Sequence, residues 1–140
     1  MFDLALLVTL LETETGYSTI LDKGQEPTSR NLTDPPTIMV GNHSVEVGDT
    51  IGENDSVLPY VVYAEHLTQV FYTQFSCNAA DFYTVWRKIH NSVAGWVPLD
   101  IEKDFSGVVP VKGLQKGITN GRVWWIDYWK IEFPHIMAEW

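Results

Sequence analysis

The 140-residue chain has a single cysteine, Cys77, which excludes an internal disulfide framework and every multi-cysteine zinc motif. No run reaches the roughly 18 apolar residues that a membrane-spanning helix needs. The apolar opening MFDLALLVTLL carries Asp3 where a secretory leader carries basic residues. Its first lysine is Lys23, and no small-residue cleavage site follows. The chain is therefore expected to stay in the cytosol, where the sequons at Asn31, Asn42 and Asn54 have no meaning. Basic residues are also scarce: 9 Lys and Arg stand against 18 Asp and Glu, a net charge of −9, so binding to phosphates without sequence preference would work against the net field. The deficit is uneven. Residues 1–86 hold two basic residues (Lys23 and Arg30) and twelve acidic ones, whereas residues 87–140 hold seven and six. Such an imbalance solubilises a surface. It also fits a subunit with an acidic and a neutral side, able to stack head-to-tail or to repel an anion.

Chemistry-bearing patterns are missing too. His43, His66, His90 and His135 are scattered, with no pair at metal-ligand spacing. Asp100-x-Glu102-x-Asp104 opens like a calcium loop, but its sixth position is Phe105 in place of glycine and its twelfth is Val111 in place of glutamate. A solvated acidic loop is the better reading. There is no G-x-S-x-G nucleophile elbow, and Gly48-x-x-x-Gly52 lacks the later glycine and the Lys-Ser/Thr of a phosphate loop. Cys77 precedes a helix N-terminus, a position that can activate a thiol, yet a lone cysteine at a strand end is read as packing. No catalytic, cofactor-binding or metal-ligating residue is assigned, and no enzyme is expected.

What is present is apolar and aromatic. With 45% hydrophobic and 13% aromatic residues, a chain of this length buries roughly 68% of its unfolded surface and is read as one domain over 1–140. Leu4, Leu7, Leu10 and Leu11 recur at helical spacing behind Asp3, predicting a helix over 3–14 that Gly16 ends. A short β-prone run at 17–21 leads into a long proline-bearing loop, 23–36, and strand character resumes at 37–40 and 43–47. After an acidic loop at 48–56, two strands are expected, at 58–64 and 66–76. Asn78 then caps a helix whose stripe is Phe82, Val85, Trp86, Ile89 and Val93, with Gly95 as its left-handed stop. Residues 108–114 and 122–133 are the last strands, joined through the hairpin signal Asn120-Gly121 and ended by Pro134. Val123, Trp125, Trp129, Ile131 and Phe133 share one face of the long strand with Asp127 as the exception. Trp124 and Tyr128 face away. The order α-β-β-β-β-α-β-β predicts an α+β fold: a mostly antiparallel sheet with two helices packed on one face.

The aromatic stock, six Trp among it, exceeds the needs of one small core. One face or edge is therefore a candidate protein–protein interface, where Trp, Tyr and Arg are enriched. The candidate interface residues are Trp124, Tyr128 and Arg122 on the long strand, and Asp49, Glu53 and Asp55 in the acidic loop.

This layout resembles the tail-terminator proteins of long-tailed bacteriophages, small minor tail proteins of the lambda U-like type. The resemblance runs over most of the chain: the N-terminal helix, the strand entering a helix at Asn78, the step Gly95-Trp96-Val97-Pro98, and the closing strand Gly121-Arg-Val-Trp-Trp-Ile-Asp-Tyr-Trp. It implies an α+β subunit assembled as a homo-oligomeric, hexameric ring in the virion tail or neck, formed in the host cytoplasm. That ring caps the tail tube protein, stops its polymerisation and joins the head–tail connector protein. It implies no cofactor and no membrane, with genomic DNA only passing through the lumen, where an acidic lining would repel phosphates. A head–tail connector or neck ring protein and a small acidic adaptor or inhibitor binding a host protein are the alternatives.

Charge reversal across residues 48–56 is expected to leave thermal unfolding unchanged while weakening self-association, read by light scattering.

Overall fold

A computed structural model describes residues 3–22, 35–47, 63–98 and 107–137. The elements are helix α1 (Leu4–Thr15), strands β1 (Thr19–Leu21), β2 (Ile38–Val47) and β3 (Tyr63–Asn78), a 3-10 turn (Ala79–Asp81), helix α2 (Phe82–Val93), and strands β4 (Val109–Thr119) and β5 (Arg122–Met137). All five strands join one sheet in the order β1-β2-β3-β5-β4. Every pairing is antiparallel except the short β1–β2 contact. The fold is α+β. The expected interface residues Asp49, Glu53 and Asp55 lie outside the described residues, as do residues 23–34, 48–62 and 99–106.

Helix α1 starts where Asp3 accepts a hydrogen bond from the Ala5 amide at 2.9 Å and ends at Gly16, whose φ of 76° is the left-handed cap. Its buried stripe is Leu7, Leu11 and Thr15, and that of α2 is Val85, Ile89 and Val93. Both stripes pack on the sheet face formed by Ile38 and Val40 of β2, Phe71, Phe75 and Cys77 of β3, and Trp129 and Ile131 of β5. The alternation along β5 is as the pattern predicts, because Trp129 and Trp125 stand opposite Phe71 and Phe75 in register. Cys77 is buried within this core. Trp129, fully buried, also satisfies its ring N–H by donating to the Thr73 hydroxyl at 3.0 Å.

Asp127, the exception in the apolar row, is only 3% exposed. Burying a carboxylate without a partner is costly, and its Oδ2 faces His90 Nε2 of α2 at 3.2 Å. The His90 ring lies between Trp86 and Trp129, with centroids at 4.0 and 4.6 Å. Room for the carboxylate comes from β4, where a Cβ on Gly113 would come within 2.5 Å of Asp127 Oδ1.

Three details differ from the sequence expectation. Asn78 does not cap α2 through its side chain, since β3 runs on through it, paired with Arg122, and the helix is entered by the 3-10 turn. Residues 58–62 of the strand expected at 58–64 lie outside the described residues; its Tyr63 and Ala64 belong to the same strand as the one expected at 66–76, because pairing with β5 is unbroken through Glu65. Pro134 does not end β5. The strand continues to Met137, and the β4 pairing stops at Lys130, so beyond that point β5 is an edge among the described residues, where a residue without an N–H is tolerated. The Asn120-Gly121 turn forms as predicted, with φ of 52° and 76°, the two left-handed residues of a tight hairpin. Gly95 is left-handed too (φ 80°), and its amide donates to the Val108 carbonyl at 2.7 Å, fastening the end of α2 to the start of β4.

Trp129→Ala is expected to destabilise the fold by about 3–5 kcal/mol, measured by urea denaturation.

Candidate assembly surface

The helices cover one face of the sheet. On the other, the register aligns Tyr72 with Tyr128, Gln74 with Ile126, and Ser76 with Trp124. Trp124, Tyr128 and Arg122, three of the residues singled out from sequence, thus share this second face, each half-buried. Two of them turn their polar atoms inward. Trp124 donates its ring N–H to Gln74 Oε1 at 2.8 Å, and Arg122 donates to the Ser76 carbonyl at 2.9 Å.

From Gln74 the hydrogen bonding runs on across the sheet. The Gln74 amide and the Tyr72 hydroxyl (2.7 Å) both donate to Asp22 Oδ2, just past β1. Tyr72 reaches that far because β2 offers Gly41 beneath it, where a Cβ would sit 2.5 Å from the Tyr72 hydroxyl oxygen. Burial raises the Tyr72 pKa well above the ordinary 10.0, and the hydrogen bond to Asp22 and its charge push in the same direction. Tyr128 sits edge-on to His43 at 5.0 Å and to Tyr72 at 6.2 Å, with Lys112 Nζ 5.3 Å from its ring centre. Side chains of the same sheet therefore satisfy most of this face.

The less satisfied surface is the sheet's perimeter. Among the described residues β4 has a partner on one side only, and its Val109, Val111 and Ile118 are exposed, Ile118 at 62%. Its charged residues are Lys112 and Lys116. At the opposite margin Ile20, Leu21 and Val45 are exposed, and β1 covers only Ile38, Met39 and Val40 of β2. Residue choice by aromatic content missed both margins. The signal was in the β4 sequence VPVKGLQKGIT, where Pro, Lys and Gly interrupt aliphatic residues as they do on edge strands.

Among the described residues no group of three or more His, Cys, Asp or Glu could hold a metal ion, and no helix is long and apolar enough to cross a membrane. No family model matches the sequence, and no curated protein matches it.

The Tyr72–Asp22 contact has a pH signature. A tyrosine that holds its proton more tightly when folded contributes stability that is complete below its unfolded value of 10.0 and is lost as pH rises beyond it. Asp22→Asn is expected to flatten the fall in stability above pH ~10, and one tyrosine should titrate earlier in an absorbance titration than in the parent.

Proposed function

We propose that this chain is a structural virion protein that closes into a ring on the end of a phage tail tube, ends its polymerisation and offers the surface to which the head-side connector joins. The observation that carries this reading is the sheet margin among the described residues: an eleven-residue edge strand, β4, with exposed Val111 and Ile118, and a different exposed margin at β1 and β2 on the far side. A repeated contact around a closed ring needs two unlike surfaces on each subunit. The α+β architecture, with two helices on one sheet face, is the one the tail-terminator resemblance implies. The acidic excess of residues 1–86, turned toward the bore, lets DNA pass without adhering.

Purified chain, alone and mixed with a tail-tube protein, is expected to form six-fold rings in negative-stain images and to shorten tubes polymerised in its presence. A chain that stays monomeric under both conditions overturns the reading. Rings that leave tube length untouched favour the connector alternative.

A further inference from the structure

We propose that the outer edge of β4 in one copy pairs antiparallel with residues 41–47 of β2 in the next copy, so that the sheet continues head-to-tail from subunit to subunit. This rests on the ring-forming reading above and names the contact that builds the ring.

Strand direction permits the pairing. The β2–β3, β3–β5 and β5–β4 pairs are all antiparallel, so β2 and β5 run one way and β3 and β4 the other. A sheet that continues past β4 without flipping over meets the next copy's β2 in the opposite direction, which repeats the ladder type dominating the sheet itself. Extent also matches. Because β1 reaches only Val40 of β2, residues 41–47 lie on the margin among the described residues. Seven residues of strand span about 23 Å, which the eleven of β4 accommodate. Exposed Val45 on one side and exposed Val111 and Ile118 on the other would leave water together.

Charge selects this pairing over the obvious competitor, two β4 strands joined about a two-fold axis. Centred on Leu114, that arrangement sets Lys112 against Lys116 twice, and like charges directly opposite one another destabilise a strand pair. The β4 strand carries no acidic residue, whereas the single carboxylate in 41–47 is Glu46. The register shifts at Val111 and Lys116, together with Pro110, discourage indiscriminate pairing, so the edge accepts a complementary strand and resists its own copy. The resulting contact is heterologous, the kind that closes into rings.

The test measures association by sedimentation velocity, with near-UV circular dichroism confirming the fold. Lys112→Glu with Lys116→Glu is expected to weaken association roughly tenfold. Glu46→Lys alone should weaken it as well, and all three changes together should restore it. Full association of the double variant, or a triple variant that stays dispersed, overturns the pairing while leaving the ring reading intact. A parent chain that never associates, even beside tube protein, overturns both.

Crosslinking gives a readout that does not depend on charge variants folding. Val45→Cys and Ile118→Cys in one chain, treated with a short bismaleimide, should give a ladder of covalent oligomers, since native Cys77 is buried. Mixing the two single variants should give dimers only, and each single variant alone should give none. A single variant that crosslinks to itself indicates two-fold pairing and overturns the proposal.

Discussion

Sixteen consecutive residue pairs between β3 and β5 hold the rest of this structure in place. The ladder fixes which side chains face the helices. Because the side-chain period of a strand is two, a slip of β5 by one residue against β3 would carry Trp125 and Trp129 to the far face and bring Trp124 and Tyr128 beneath the helices. The ring N–H of Trp129 donating to Thr73, and that of Trp124 donating to Gln74, lock the register from opposite faces. Both sides of the sheet therefore report the same alignment.

The second organising constraint is electrostatic. Asp127 occupies a position that the alternation reserves for an apolar residue, and the fold answers with His90 from α2, two flanking indole rings, and a glycine on β4. Removing either partner would leave the other's buried polar atom without its neighbour at 3.2 Å, a costly state in an apolar surrounding. The pair's structural effect is to tie three elements to one point: helix, central strand and edge strand. On the opposite face Asp22 does comparable work, receiving Tyr72 and Gln74 and so anchoring the chain just after β1.

Much of this was legible in the sequence, for reasons that differ from element to element. Both helices were visible because their stripes recur at helical spacing and their C-terminal glycines are left-handed. The hairpin was visible because Asn-Gly has few other uses. Asn78 misled because its capping chemistry is also compatible with the last pair of a ladder, and the ladder prevailed. Pro134 misled because a proline ends a strand only where both sides are paired, and β4 has already stopped at Lys130. Of the interface residues, Trp124, Tyr128 and Arg122 were placed correctly on a shared face. Their hydrogen bonding to Gln74 and Ser76 could not be read in advance, since it depends on cross-strand register. The margin of β4 was overlooked because an edge is a property of topology, and topology is not written in any one strand.

The β3–β5 ladder also has a consequence in time. Its partners are remote in the chain: Asn78 meets Arg122 across 44 positions and Thr73 meets Trp129 across 56. Hairpins and helices close in microseconds, but contacts of this separation must first overcome the entropy of a long loop, which places such folds among the slower ones. During synthesis β3 emerges well before the strand that completes it, leaving Phe71 and Phe75 without Trp129 above them and one flank of backbone open. The nascent chain is therefore most vulnerable to misassociation in that interval, and the stretch then at risk is the one that becomes the centre of the finished sheet.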